Sequence, residues 1–465
     1  AMEPAERALA LDPTSDRAVR AAMRARALSG DRSVALARYA AFVEQLRNAT
    51  GSPPEVETER CAERIRRERG RPAARSATET GTARRAPLVG RETELAKLLD
   101  LLQASAGGSR ALLAIVEGEA GTGKSRLMDE VASRSRLDGA LVAGVRAVVA
   151  DLAEPHGGLT ALARAGILDA RGIAAAPASA LATFARDIAE WADRFPAARD
   201  AEPAPPVAAF TAILRACAEE QPVVLSVDDA HHLDDASMLA LGRALRDLAS
   251  VPLVALLSVP PRSSSAPLEE LRARLGRDVD GGVVHLGPLS GEALASLVRW
   301  ALPSYDAAAA ERLTRRLASD SAGLPLLAVE LVYAIAQGLD LGTVEGAWPN
   351  PLRTLSETLP GDLPDAVRAA VRVGYRRLSP EAQRVLAALA VLEDRVGPAR
   401  LARATELPLA SVHEAVDELE WARWVNADPR GYAFVARIVR EVVAADMTTP
   451  GQRQRIRDRV GPLGG

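Results

Sequence analysis

Lysine is nearly missing from this chain of 465 residues. It occurs only at Lys97 and Lys124, although lysine and arginine together number 58. Cysteine occurs twice, at Cys61 and Cys217, and aromatic residues make up 3%. Two cysteines in separate expected domains form neither a disulfide framework nor a metal-ligand spacing. They suit a reducing cytosol. No apolar run approaches the roughly 20 residues needed to cross a bilayer, and VPLVALLSV (Val251–Val259) is only strand-length. No membrane partner and no signal peptide is expected. No charge of one sign prevails, the formal net charge being −3, so the overall balance gives no reason to expect a nucleic-acid coat. The arginine and alanine bias reads as the mark of a GC-rich genome. Against that bias, a lysine placed where phosphate chemistry needs one is informative.

The chain is 48% apolar and 26% charged, enough for about two to four domains with their own cores. It opens inside a helical pattern and ends on GPLGG soon after another helix, so flanking domains are expected beyond both ends. Over residues 1–70 apolar residues recur at intervals of three and four in AVRAAMRARAL and ALARYAAFVEQL, broken at LDPTSD, SGDRS and GSPPE. Helical hairpins of the tetratricopeptide kind are expected there. Residues 71–86, RPAARSATETGTARRA, are polar and aperiodic and read as a linker. Over 87–286 helices alternate with apolar strand candidates at Ala111–Glu117, Ala140–Val148, Pro222–Val227, Pro252–Val259 and Gly282–Leu286. That is the pattern of an α/β domain with a buried parallel sheet. Residues 287–355 are helical again. Residues 356–465 read as helices followed by two short strands around a turn in WVNADPRGYAFV, the order of a winged helix.

GEAGTGKS, Gly118–Ser125, fits the spacing G-x-x-x-x-G-K-[ST]. Gly118, Gly121 and Gly123 let the backbone turn its N–H groups inward onto phosphate oxygens. A helix opening at Lys124–Ser125 adds its positive end, with Arg126 next in line. Lys124 brings a mobile charge to the outer phosphates, and Ser125 offers a hydroxyl to Mg²⁺. The apolar strand VVLSV ends in Asp228–Asp229. Asp228 is the expected Mg²⁺ partner and Asp229 the expected catalytic group that polarises water. His231 and His232 lack a third ligand at metal spacing, so loop or packing roles are expected of them.

PLVGRETELAKLLDLL, GEAGTGKS, VDDAHHLD and LPLLAVEL together resemble the STAND signal-transduction ATPases, relatives of the AAA+ ATPases. The resemblance implies a five-stranded parallel sheet in the order 5-1-4-3-2, a helical lid and a winged helix. It implies ATP or ADP as ligand, with Val89, Gly90 and Arg91 near the base and Pro325 in the lid motif. Ahead of it, ALALDPTSDRAVRAAMRARALSGDRSVALARYAAFVEQL resembles the latter part of a bacterial transcriptional activator domain, which implies that DNA is met through a domain before Ala1. Two positions depart from the STAND pattern. Ala436, with Arg437 beside it, stands where the family carries a phosphate-touching histidine. Pro260 and Pro261 precede Arg262 where an arginine usually follows the fourth strand, leaving Ser258 as a polar substitute.

The expected function is an ATP-binding regulatory switch with slow hydrolysis, self-associating with ATP bound and acting on RNA polymerase or a signalling protein. The alternatives are a nucleotide-binding sensory module with a cyclase or kinase output, and a binder without turnover. LASVHEAVDELEWARW carries four acids against one arginine, so that helix would repel DNA.

Overall fold

The computed structural model describes residues 2–28, 32–50, 52–67, 86–261, 263, 265–336, 365–376, 378–392, 395–422, 424–428, 430–434 and 437–460. Five parallel strands form the centre: β1 (Leu112–Gly118), β2 (Leu141–Arg146), β3 (Val223–Asp228), β4 (Leu253–Val259) and β5 (Gly281–Leu286). Their order across the sheet is β2-β3-β4-β1-β5, the order 5-1-4-3-2 read from the other side.

Each central strand is apolar on both faces, and the pleat sorts its side chains. Leu112, Ala114 and Val116 of β1 point to the side that carries Leu127, Met128 and Val131. Leu113 and Ile115 point to the other, among Phe210, Ile213 and Leu241. Helices Glu92–Gly108 and Lys124–Asp138 therefore cover one face, and Pro206–Glu220 and Asp235–Asp247 the other. Between β2 and β3 the chain runs through short helices at Gly157–Arg164, Ala178–Ala185 and Ala189–Arg194. Phe184 anchors them, its ring centroid 5.5 Å from that of Trp191 and 6.2 Å from that of Phe210.

Helices Gly291–Ala301, Ala307–Ser321 and Pro325–Ala336 follow β5. Their apolar faces share one cluster with the C-terminal helices Pro380–Val391, Pro398–Thr405 and Leu409–Trp421. The two expected strand pieces form an antiparallel ribbon, β6 (Val425–Asp428) and β7 (Gly431–Phe434). Val396 adds an antiparallel bridge to Tyr432 on β7. The stretch 337–364, most of the expected linker, Arg262 and Ala436 lie outside the described residues.

The N-terminal unit comprises helices Met2–Leu11, Asp16–Leu28, Arg32–Thr50 and Val56–Arg67. Val19, Met23, Ala35, Phe42, Leu46, Cys61, Ala62 and Ile65 make its core, and Leu137 from the end of helix Lys124–Asp138 packs with them. Arg24 pairs with Asp138 at 3.1 Å. Among the described residues no helix is long and apolar enough to cross a membrane.

Leu137 is 2% exposed. Leu137→Ala is expected to destabilise the junction by about 2–4 kcal/mol, seen as a lowered urea midpoint for the N-terminal helices of the full chain. An unchanged midpoint would show that Leu137 does not hold them.

Candidate nucleotide-binding site

β1 ends at the cradle. After it the chain turns through Glu119–Thr122 and enters helix Lys124–Asp138. Gly123 takes φ +92° as the residue capping that helix, a backbone that side chains rarely adopt. A Cβ at Gly118 would stand 2.7 Å from Thr122 Oγ1 and 2.8 Å from Leu286 O, so the turn closes only on glycine. The N–H groups of the first helical turn have no acceptor within the helix, and they head the loop where anions are favoured.

Lys124 is 9% exposed. Its Nζ donates to Gly118 O at 2.8 Å and Glu119 O at 3.1 Å, holding it over the loop. Burial lowers its pKa although Asp229 and Asp228 pull the other way. Ser125 Oγ donates to Asp228 Oδ2 at 2.6 Å. This hydroxyl and carboxylate are the hard oxygen donors that suit Mg²⁺, which keeps most of its waters and takes few protein oxygens. The two expected metal-holding residues are thus in contact, and the donor set fits the ion.

Asp228 closes β3 and Asp229 follows it at φ +52°. Ser258 on β4 fastens both, donating to Asp228 Oδ1 and accepting from the Asp229 N–H at 2.7 Å. Burial pushes the Asp228 carboxyl up, and the charge on Asp229 adds to it. For Asp229 burial acts in the same direction, but Arg146 and then Lys124 outweigh it and hold that carboxyl low. Burial, with His232 beside it, takes His231 down to about 4. The two imidazoles lie 3.9 Å apart between centroids, tilted by 42°, a packing arrangement. Among the described residues no cluster of ligands suits a metal bound by histidine, cysteine or several carboxylates.

Of the residues expected around the base, Arg91 and Pro325 touch the loop directly. Arg91, 6% exposed, donates to Thr122 O at 3.2 Å and to Gly287 O, and pairs with Glu94. It ties the loop to the residue that follows β5. Gly90 abuts helix Gly291–Ala301, since a Cβ there would stand 2.5 Å from Ala293 Cβ. Val89 packs in the cluster that includes Ala120, Leu294, Leu324 and Leu327. Pro325 lies 3.8 Å from the Cβ position of Gly123, and the next residue's N–H, that of Leu326, donates to Gly121 O at 3.2 Å. Helix Pro325–Ala336 therefore begins on the cradle itself. Arg126 turns away along its own helix to Glu130, 3.1 Å distant.

Sequence reasoning missed Arg146, Asp151, Arg395 and Arg430. Arg146 ends β2 in register with Asp228. Its Nε donates to Asp229 Oδ2 at 3.0 Å, and the guanidinium lies 3.9 Å from Asp228. Its Nη1 donates to Phe434 O at 3.2 Å in the C-terminal ribbon. Arg395 and Arg430 both donate to Arg146 O and both pair with Asp151, at 2.6 and 2.8 Å. The available signal was an arginine near the end of an apolar strand. Its partners lie far off in the chain, and no spacing marks them.

Two segments match known families: residues 87–259 the AAA ATPase domain, and residues 1–66 the bacterial transcriptional activator domain. An uncharacterised protein of Rhizobium meliloti (strain 1021) is 24% identical over 278 residues, which is 56% of this chain and 26% of that protein. Among solved structures, a STAND protein with a tetratricopeptide repeat sensor from Pyrococcus horikoshii is similar at 14% identity and TM-score 0.45, over 82% of this chain and 46% of its own. The Walker-type ATPase of Pyrococcus abyssi is similar at 15% identity and TM-score 0.37, over 78% of this chain and 98% of its own. The RuvB branch-migration motor of Thermotoga maritima is similar at 18% identity and TM-score 0.32, over 76% of this chain and 95% of its own. The chain thus spans about a quarter of the curated relative and under half of the first of these structures.

Ser258→Ala removes the acceptor for a backbone N–H and a donor to a buried carboxylate, a loss of about 1–3 kcal/mol. Urea denaturation should show it, with Ser258→Thr recovering part. Equal stability of all three forms would separate Ser258 from the acid pair.

Proposed function

From a chain that joins an AAA ATPase domain to a bacterial transcriptional activator domain, we propose a regulatory ATPase of the STAND kind that switches on ATP binding and returns by slow hydrolysis to ADP. The observation that carries the reading is the 2.6 Å contact of Ser125 with Asp228 beneath Lys124, at the head of a helix on which the lid is seated. Gly118, Gly123 and the first-turn N–H groups would receive the phosphates. Lys124 would leave the loop carbonyls for the outer phosphates, and Ser125 and Asp228 would hold Mg²⁺. That ion would neutralise charge on the phosphates. Asp229 would orient the attacking water.

A switch, unlike a motor, needs only one nucleotide to favour one of two shapes. Moving such an equilibrium from 1:99 to 99:1 takes about 5.5 kcal/mol of differential affinity. What supports a switch is the wiring. The acid pair reaches the C-terminal ribbon through Arg146, and the helix that starts at the cradle ends against the N-terminal unit. ATP then favours an open, self-associating form, and ADP or no nucleotide a closed monomer. The N-terminal helices pass the outcome to the transcription machinery, and a DNA-binding domain outside this segment selects the site. In this reading residues 287–355 act as the lid and 356–465 as the winged-helix unit.

Lys124→Ala should abolish ATP·Mg²⁺ binding in calorimetric titration while leaving the circular dichroism spectrum intact. Wild-type affinity in that variant would refute the site. Asp229→Asn should lower single-turnover hydrolysis by about 10²-fold or more with much less effect on affinity, and undiminished turnover would release Asp229 from its role.

A further inference from the structure

We propose that Arg146 is the residue through which the terminal phosphate is sensed, by moving its guanidinium off Asp229, and that this move loosens the C-terminal ribbon from the ATPase domain. The inference rests on the nucleotide site proposed above and goes beyond it to a residue that belongs to no recognised motif.

Four observations converge on Arg146. Its guanidinium engages Asp229 at 3.0 Å, which occupies the carboxylate assigned to water. The same group donates to Phe434 O at 3.2 Å, so one planar fork joins the acid pair to β7. Its main-chain oxygen accepts from Arg395 and Arg430, which come from the segments on either side of helices 398–405 and 409–421. Both of those arginines close on Asp151, just beyond β2, where the carboxylate is fixed by the Val148 N–H at 2.9 Å. Asp151 and Arg395 are 6% and 8% exposed by side chain.

A guanidinium is a rigid fork that recognises carboxylate and phosphate alike. Asp229 and a terminal phosphate beside Lys124 therefore compete for Arg146. The phosphate carries more charge and offers more acceptors. Transfer of the fork to it frees Asp229 and withdraws the donor from Phe434 O in one movement. ADP lacks the competing group, so with ADP the fork stays on Asp229 and the ribbon stays docked. Arg146 reaches the acid pair from β2, on the opposite side of β3 from Ser258 on β4.

The test uses the full chain with ADP and with a non-hydrolysable ATP analogue, each with Mg²⁺. Affinity is read by calorimetry and backbone hydrogen exchange over residues 425–434 by mass spectrometry. In the wild type the ribbon should exchange about tenfold faster with the analogue than with ADP. Arg146→Ala should bind both nucleotides, lose about tenfold of its preference for the analogue, and show one exchange rate whichever is bound. Arg146→Lys keeps the charge without the fork, so it should retain part of the preference and lose the ribbon response. Asp151→Asn leaves Arg146 in place and should free the ribbon under both nucleotides while tightening the analogue. Should Arg146→Ala fail to fold, the lysine and asparagine variants decide. A wild type that binds both nucleotides with identical ribbon exchange overturns the inference and leaves the nucleotide site standing. Wild-type behaviour in Arg146→Lys together with Asp151→Asn does the same. A wild type that binds neither nucleotide sinks both proposals.

Discussion

The contact between the Ser125 hydroxyl and the Asp228 carboxylate, 2.6 Å long, joins the two halves of the site. Ser125 sits in the first turn of the helix after β1, and Asp228 ends β3. Between them in the sheet lies β4, whose Ser258 reaches Asp228 from the other side. One carboxylate thus fixes the relative position of three elements. The sheet order makes that possible, because β1, β4 and β3 are consecutive neighbours and parallel strands end at the same edge. That edge is where ligands bind in open α/β sheets.

Around this point the protein concentrates charge it does not dissolve in water. Asp151, Asp228 and Asp229 face Arg146, Arg395 and Arg430 within a few residues of the strand ends. Removing such ions from solvent costs several kcal/mol each, and their attraction offsets this only with good geometry. A cluster of this kind adds little net stability. It does make the docked arrangement specific, since displacing any one member leaves another buried without its counterion.

Much of the fold was legible because the central strands are apolar on both faces and punctuated by glycine, proline and acid. Leu112–Gly118 and Leu253–Val259 lie within a residue of the runs that suggested them. The phosphate loop was legible because its chemistry constrains consecutive residues, and Lys124 stood out in a chain almost without lysine. The segment between β2 and β3 was not legible. Its helices before Pro206 are short, and they are held by tertiary contacts around Phe184 and Trp191. The contacts of Arg91 with Thr122 and Gly287 were not legible, because a buried arginine follows nearby carbonyls that sequence does not display. Arg146 was missed for the same reason: Phe434 and Arg395 approach it from almost 250 residues or more along the chain.

The helix Lys124–Asp138 has one end in the phosphate loop and the other, at Leu137, inside the core of the N-terminal helices. The boundary between the two sequence families therefore does not coincide with a boundary in packing. A fragment begun at Pro87 would carry a leucine stripped of its cover at the base of that helix, and a fragment ended at Arg67 would carry the matching hollow. Each piece would be prone to stick to its own kind, so association seen with either alone would report the cut surface and not the behaviour of the joined chain.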